Sequence, residues 1–303
     1  MKILVTGGSG FLGTTLIHKL SSESLHEITG TFFHNSRPGL HYLDVTDAES
    51  TLSLIEELSP DTIVHTVALT SPDYCELHPE ETYDINHAGA VNVALAAKEI
   101  GARMMYTSTV YVFDGKKGDY SETDEPNPLN IYGESKYRAE QDIMRIVPQW
   151  NILRFDRLYG FHGFVTPLDI VAKIHMDKPL VVNFDQERHP LYAPDVASVI
   201  RQLTLVKENG IFHLGGPERM NVYSLFNNIA SKLGKELQII PSHSHDGGQV
   251  AERPEKVTLV TDKIKQLGIS FTGIDQALPL INAELQHELA VRELEGQRRA
   301  VEW

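Results

Sequence analysis

The sequence contains a single cysteine, Cys75, among 303 residues. One cysteine cannot form an intramolecular disulfide or supply the paired thiolates of a structural zinc site, so a disulfide-stapled secreted scaffold and a thiolate zinc protein are excluded. The first residues show no long apolar segment followed by a small-residue cleavage site. We therefore expect a protein of the reducing cytoplasm.

Positive charge and long apolar runs are also scarce. The chain has 27 Lys and Arg against 41 Asp and Glu, which gives a formal net charge of -14. Such a charge repels nucleic acids and anionic membranes, so we expect neither as a partner. No segment reaches the roughly 18 uncharged apolar residues of a membrane helix. Any anionic ligand must therefore meet a local group of basic side chains.

Short apolar runs alternate with helical patterns through residues 1–155, which is typical of a parallel sheet with helices on both faces. The predicted strands are residues 3–6, 27–33, 62–67, 103–108 and 151–155. The predicted helices are 80–100, 132–147 and one that opens on a capping box formed by Thr46 and Glu49.

After residue 155 the pattern loosens, and it returns as a predicted strand at 210–214 and a helix at about 223–233. We expect residues 1–155, with 196–214 returning to them, to form one α/β domain. The remaining segments, 156–195 and 215–303, are too short for an independent domain with a full sheet. They are expected to form a smaller lobe at the carboxyl edge of the sheet.

Three glycines, Gly7, Gly10 and Gly13, lie where the first predicted strand turns into a helix. In such a turn, glycine allows backbone N–H groups to approach a pyrophosphate, and the helix N-terminus faces the anion. The N–H groups of Phe11 and Leu12 would then contact the phosphates. An ordinary tight turn uses the same residue type, but the position after an N-terminal strand favours dinucleotide binding.

The end of the second predicted strand bears on the choice of dinucleotide. An NAD-binding protein carries an acid about 20 residues after the glycine turn, which binds the ribose hydroxyls. Here no carboxylate occurs between Glu27 and Asp44. Arg37, with Asn35 and Ser36, can instead hold a 2′-phosphate, the alternative being a solvent-facing turn. We expect NADP(H) in preference to NAD(H).

Tyr132 and Lys136 are four residues apart on a predicted helix, so both side chains lie on one face. An adjacent ammonium favours the phenolate, so we expect Lys136 to lower the pKa of Tyr132 from its usual value of about 10 and prepare it for proton exchange with a substrate oxygen. Such a pair is also common on solvated helices. Ser108 and Thr109, at the end of a predicted strand, favour a catalytic role for the pair, because a hydroxyl there can polarise the substrate carbonyl that exchanges a proton with Tyr132.

Together these motifs resemble the extended short-chain dehydrogenase/reductases. The resemblance rests on the glycine turn and on residues 106–115 and 122–136, and more loosely on 185–190 and on Arg253-Pro254. Within that family the chain is most similar to the dTDP-4-dehydrorhamnose reductase branch, which includes the regulatory subunit of methionine adenosyltransferase. The resemblance implies a Rossmann-type, doubly wound parallel sheet for NADP(H), a smaller C-terminal α/β lobe for a nucleotide-sugar, and a homodimer.

The resemblance also assigns roles to individual residues. Tyr132 would donate a proton to a ketone oxygen, Lys136 would hold the cofactor ribose, and Thr109 would orient the carbonyl, with Ser108 as the alternative. The cofactor would further contact Asp44, Val45, Val67, Ala68 and Leu69. The substrate would contact Ser108, Val110, Arg157, Arg188 and Arg253.

The resulting expectation is NADPH-dependent reduction of a nucleotide-activated 4-keto-6-deoxy sugar in deoxysugar biosynthesis. Val110 stands where reductases of this branch carry Asp, and Arg157 where they carry Trp or Asn. A non-catalytic NADP-binding regulatory subunit and a sugar-nucleotide epimerase therefore remain alternatives. Dehydratase chemistry is disfavoured, because Val110 and Tyr111 replace the acid pair that it requires. No metal site is expected, since residues 243–246 lack a distant third ligand.

Overall fold

The computed structural model describes residues 1–22, 26–161, 179–232, 234, 236, 238–243 and 249–301, with side chains except at 183 and 292–301. In chain order the strands are β1 (Lys2–Thr6), β2 (Glu27–Phe32), β3 (Leu40–Tyr42), β4 (Thr62–His65), β5 (Arg103–Thr109), β6 (Trp150–Phe155), β7 (Leu158–Tyr159), β8 (Leu180–Asn183), β9 (Glu187–Arg188), β10 (Leu191–Tyr192), β11 (Gly210–Leu214), β12 (Met220–Asn221) and β13 (Ile239–Ser242).

The described helices begin and end as follows. They are α1 (Phe11–Ser22), α2 (Ala48–Leu58), α3 (Pro72–Leu77), α4 (Pro79–Tyr83), α5 (Gly89–Glu99), α6 (Ile131–Ile146), α7 (Asp195–Val206), α8 (Val222–Lys232), α9 (Asp262–Gln266) and α10 (Ile274–Val301), with a π-helical turn at Asp84–Ala88 and a 3-10 turn at Val110–Val112. None of the described helices is both long enough and apolar enough to cross a membrane.

Seven parallel strands form the central sheet in the order β3-β2-β1-β4-β5-β6-β11. Alternate side chains of β1 serve opposite faces, as the pleat requires. Ile3 packs in a core with α1 and α7, whereas Leu4 packs in a second core with α2, α5 and α6. The doubly wound α/β architecture expected from the sequence is therefore confirmed.

The described residues after β6 add three two-stranded sheets, which pair β7 with β10, β9 with β12, and β8 with β13. Buried side chains of α8 and α10 form a separate apolar cluster with β7, β8 and β10. The strand expected at 210–214 is β11, which joins the edge of the central sheet beside β6.

Several predicted boundaries differ from the observed ones. Thr46 does not cap α2, because its hydroxyl donates to Asp44, while Asp47 accepts from the N–H groups of Glu49 and Ser50 at 3.1 Å. The helix predicted at 80–100 is built from α4, the π-helical turn and α5. Strand β3 and helix α3 were not predicted, and both are short.

Candidate active site

The glycine turn brings the start of α1 against the end of β1. Gly10 donates its backbone N–H to the carbonyl of Gly7 at 3.0 Å. A Cβ atom at Gly13 would lie 2.2 Å from that same carbonyl oxygen, so only glycine allows the helix to pack this closely. Phe11 and Leu12 occupy the first turn of α1, where backbone N–H groups lack intrahelical acceptors and are available to an anion.

Asn86 fixes the loop that follows β4, whose residues Val67, Ala68 and Leu69 were expected to contact the cofactor. Its side chain accepts from the N–H of Leu69 at 2.7 Å and donates to the carbonyl of Leu69 at 3.0 Å. It also donates to the hydroxyl of Ser135 in α6 at 3.2 Å. The π-helical turn thereby links this loop to the helix that carries Tyr132. Val67 and Ala68 are half-buried in the same loop.

The remaining residues expected to contact the cofactor lie just after β2 and β3. Asn35 and Ser36 are exposed, and Arg37 is half-buried with no ion pair to any described residue. Asp44 accepts from both the backbone and the hydroxyl of Thr46. Val45 is buried.

Helix α6 is held at its N-terminus by two side chains from different elements. Asn130 accepts from the N–H of Gly133 at 2.9 Å, and Glu76 of α3 accepts from the N–H of Ile131 at 3.0 Å. A Cβ atom at Gly133 would lie 2.1 Å from the carbonyl oxygen of Tyr111. The helix therefore rests directly on the backbone that follows β5.

This contact brings Tyr132 beside Thr109, at the carboxyl end of β5. Tyr132 is 9% exposed, and its ring meets that of Tyr111 edge-on at 5.5 Å. Burial raises the pKa of Tyr132 above its usual value, and a hydrogen bond from Thr109 opposes the shift only in part. The expectation that Lys136 lowers this pKa is wrong for the structure described here, because the cost of burying a phenolate dominates.

Lys136 lies one helical turn after Tyr132 and is 2% exposed. Its ammonium lies 4.1 Å from the centroid of the Tyr106 ring. Burial lowers the pKa of Lys136 to about 7, and the negative charge of Glu140 opposes this shift. Lys136 is thus close to changing its protonation state at neutral pH.

The sequence reasoning missed a buried ion pair behind these residues. Glu140 and Arg154 are both fully buried, with Arg154 Nη2 2.5 Å from Glu140 Oε2 and Nε 3.0 Å from Oε1. Ser108 and Arg154 are register partners on β5 and β6, and the Ser108 hydroxyl also donates to Glu140. Ser108 is therefore committed to this network. An acid four residues after Lys136, on a buried helix face, was the available signal.

A cleft of about 340 Å³ opens beside Tyr111. Its lining residues are Asp73, Tyr111, Arg157, Leu180, Val181, Val182, Gln186, Val222, Phe226, Gln249 and Arg253. Of the five residues expected to contact substrate, Arg157 and Arg253 line this cleft.

The other three residues expected at the substrate lie elsewhere. Arg188 is buried behind Tyr111, with its guanidinium 5.5 Å from the ring, and donates to Gln186 at 2.9 Å. Val110 packs in an apolar cluster with Phe113. Ser108 binds Glu140, as described above. Within the described residues, no group of three or more His, Cys, Asp or Glu side chains could hold a metal ion. Of the segment 243–246, residues 244–246 lie outside the described residues.

The parallel sheet, its strand order and the glycine turn into α1 define a Rossmann-type protein of the dehydrogenase/reductase class. The chain belongs to the RmlD substrate binding domain family, whose model matches residues 1–286. This confirms the resemblance inferred from the motifs.

Both branches named in that resemblance contain relatives of similar identity. Methionine adenosyltransferase 2 subunit beta of Danio rerio is 31% identical over 293 residues, which cover 93% of this chain and 88% of the relative. The dTDP-4-dehydrorhamnose reductase of Aggregatibacter actinomycetemcomitans is 32% identical over 298 residues, covering 93% and 98%. The crystal structure of dTDP-4-dehydrorhamnose reductase from Bacillus anthracis in complex with NADP superimposes with a TM-score of 0.83 at 27% identity, covering 93% of this chain and 99% of that one.

Proposed function

We propose that this protein is an NADP(H)-dependent oxidoreductase that reduces the ketone of a nucleotide-activated 4-keto-6-deoxy sugar. The observation that carries the proposal is the buried phenol of Tyr132, which lies beside Thr109 at the carboxyl end of β5 and one helical turn before Lys136. The reductase relatives from Aggregatibacter actinomycetemcomitans and Bacillus anthracis support the same reaction class.

The cofactor fits the residues of the glycine turn. The space in front of Gly13 is too narrow for a side chain, and the first-turn N–H groups of Phe11 and Leu12 suit a pyrophosphate. The bound NADP of the Bacillus anthracis reductase supports binding of this dinucleotide. Preference over NAD(H) rests on Arg37, which forms no ion pair with a described residue, beside Asn35 and Ser36. Asp44, Val45 and the loop of Val67, Ala68 and Leu69 complete the proposed cofactor contacts.

In the proposed reaction, bound NADPH supplies the hydride that reduces the ketone carbon. Tyr132 gives its phenolic proton to the ketone oxygen, so that the product is an alcohol. Burial raises the pKa of Tyr132, so the phenol is protonated at neutral pH but is a weaker acid than usual. The alkoxide that hydride addition leaves on the substrate is a stronger base than the phenolate and can take this proton. Thr109 donates a hydrogen bond that orients the reacting oxygen. Lys136 holds the cofactor ribose, and its ammonium balances the negative charge left on Tyr132 when the phenol gives up its proton.

The substrate would lie in the cleft beside Tyr111, with Arg157 and Arg253 as its cationic side chains. Their guanidinium groups suit a diphosphate, which needs local cations in a chain with a net charge of -14. Residues 1–155 with 196–214 would form the cofactor half, and 156–195 with 215–303 the substrate half. A homodimer through the helices beside Tyr132 and a cytoplasmic location complete the proposal.

The test is NADPH consumption by the purified protein with a panel of nucleotide 4-keto-6-deoxy sugars, with NADH as the comparison. We expect turnover that collapses in Tyr132→Phe. Arg37→Ala should weaken NADPH binding much more than NADH binding, and equal losses would refute the 2′-phosphate role. Light scattering of the same sample tests the homodimer.

A second candidate is a non-catalytic NADP-binding regulatory subunit, favoured by the 31% identity to methionine adenosyltransferase 2 subunit beta. Val110, which replaces the reductase acid and is buried in an apolar cluster, fits this alternative. NADPH binding without reduction of any panel member, together with co-purification of a catalytic subunit, would favour it. Tightly held cofactor with no net NADPH use would instead indicate an epimerase.

A further inference from the structure

Asp73 of α3 is an acidic side chain in a cleft proposed to bind an anion. It lines this cleft together with Arg157 and Arg253. A carboxylate at this place repels a diphosphate and cancels part of the local positive charge. The hydrogen bonds and the ion pair of Asp73 explain why an acidic side chain lies in this cleft.

One oxygen of Asp73 holds a backbone segment and the other holds a side chain of the same segment. Oδ1 accepts from the N–H groups of Val250 and Ala251, at 2.9 and 3.0 Å. Oδ2 lies 2.8 Å from Nη2 of Arg253. The other terminal nitrogen of Arg253 donates to the carbonyl of Ala251 at 3.1 Å. The guanidinium is therefore fixed at both ends, within the cleft.

The same segment has a second attachment, at the start of the helix that carries Tyr132. Asn130 donates from its side-chain amide to the carbonyl of Glu252 at 2.7 Å, while its side-chain oxygen caps α6. Residues 250–253 are thus tied to both α3 and α6. The position of Arg253 relative to Tyr132 depends on these two attachments.

The two oxygens of Asp73 differ in what a ligand can replace. Burial alone would raise the pKa of Asp73, but hydrogen bonds from Ala251 and the charge of Arg253 lower it, so the side chain is ionised at neutral pH. A diphosphate can take over the guanidinium of Arg253, because phosphate oxygens match its bidentate geometry. It cannot replace Oδ1, whose partners are backbone N–H groups of the segment itself.

We propose that Asp73 is the positioning residue of Arg253: through Oδ1 it fixes residues 250–253, and its Oδ2 holds the guanidinium where the diphosphate of a nucleotide-linked ligand takes it over. This inference rests on the proposed nucleotide-sugar substrate. It accounts for a carboxylate beside the cations of an anion-binding cleft.

The experiment compares Asp73→Ala and Asp73→Asn in the full chain, with dTDP as the probe. Calorimetry measures dTDP affinity, and hydrogen exchange measures protection of the Val250 and Ala251 amides. Asp73→Ala should weaken dTDP binding by about tenfold or more and lose the amide protection. Asp73→Asn should keep the protection, because its amide oxygen still accepts both backbone hydrogen bonds. It should lose less dTDP affinity than Asp73→Ala, because residues 250–253 stay attached and the ligand itself takes over the guanidinium that the amide nitrogen no longer holds.

Asp119→Asn is the matched control. Asp119 also pairs with an arginine, Arg219 at 2.7 Å, but it does not line the cleft. Its substitution should leave dTDP affinity unchanged. NADP⁺ binding by every variant verifies that the fold is retained. If Asp73→Ala does not fold, Asp73→Ser replaces it, since a serine side chain is too short to reach both amides.

Wild-type affinity for dTDP in Asp73→Ala would overturn the inference. So would a loss in Asp73→Asn as large as that in Asp73→Ala with amide protection retained, since the charge and not the backbone attachment would then matter. If the wild type binds NADP⁺ but neither dTDP nor UDP, the proposed substrate class itself is wrong, and the inference falls with it. These outcomes distinguish failure of the inference from failure of the proposed function.

Discussion

Replacement of Glu140 by glutamine tests the buried network behind the site most directly. The substitution keeps the size and shape of the side chain, so it creates no cavity, but it removes the negative charge that faces Arg154. Arg154 is fully buried, and its Nε and Nη2 both donate hydrogen bonds to this one carboxylate. The variant therefore leaves a guanidinium without a counter-charge in the protein interior.

The expected cost follows from that geometry. Removing one partner of a buried ion pair typically costs about 3–5 kcal/mol, because the remaining charge stays desolvated. This is a large part of the roughly 5–15 kcal/mol that stabilises a folded domain. Replacing both partners, as in Glu140→Met with Arg154→Met, should recover most of the loss, since no unpaired charge then remains.

Helix α6 also provides the control. Glu134 pairs with Arg138 at 2.5 Å, but these side chains are 38% and 50% exposed. Glu134→Gln should therefore cost only about 0.3–0.5 kcal/mol. Urea unfolding of the variants gives each free energy of unfolding. A loss below about 1 kcal/mol in Glu140→Gln, or one no larger than in Glu134→Gln, would refute the reasoning.

Three further predictions concern single buried positions. Burial lowers the pKa of Lys136 from 10.5 to about 7. Between these pH values the unfolded chain binds a proton that the folded chain has lost, so the free energy of unfolding of the wild type rises with pH. Lys136→Met should therefore be more stable than the wild type at neutral pH, and urea unfolding should show that the difference between the two proteins shrinks as the pH rises. Burial likewise lowers the pKa of His213 from 6.5 to about 3, so stability falls as the pH drops through this window, and acid titration of thermal unfolding should show a smaller fall in His213→Asn. Gly13→Ala should destabilise the fold by about 1–3 kcal/mol or more, because the added Cβ would lie 2.2 Å from the Gly7 carbonyl oxygen. Gly10→Ala should cost less, because its Cβ would lie 3.3 Å from the same oxygen. Equal unfolding midpoints for the two variants would contradict the packing argument.

The sequence predicted the parts of the fold that depend on local periodicity. Five of the seven strands of the central sheet were found from apolar runs in the first 155 residues, and β11 was found at its observed bounds. Strand β3 has only three residues, two of them exposed, so it carries no apolar run. Helix α3 is six residues long, but Ser71 and Pro72 form an N-cap with proline in the first turn, a signal that the sequence contained.

Residue spacing in the sequence predicted which candidate site residues share a helix face or end a strand, but not their contacts with other elements. Tyr132 and Lys136 share a face of α6 because they are four residues apart, and Thr109 ends β5. The hydrogen bond that Ser108 donates to Glu140 belongs to a network with Arg154, and these two residues come from α6 and β6. The pKa of Tyr132 likewise depends on burial, which no local pattern reveals. The link from Asp73 to residues 250–253 spans more than 170 residues of chain.

Gly133, which lies against the carbonyl of Tyr111, bears on how accurately the phenol can be held. Where two elements meet through side chains, their separation varies with rotamer and with every substitution at the contact. Here backbone meets backbone, so the separation between β5 and α6 is set by atoms common to every residue. Mutational drift in the surrounding core can then change overall stability while leaving the distance from Thr109 to Tyr132 nearly constant.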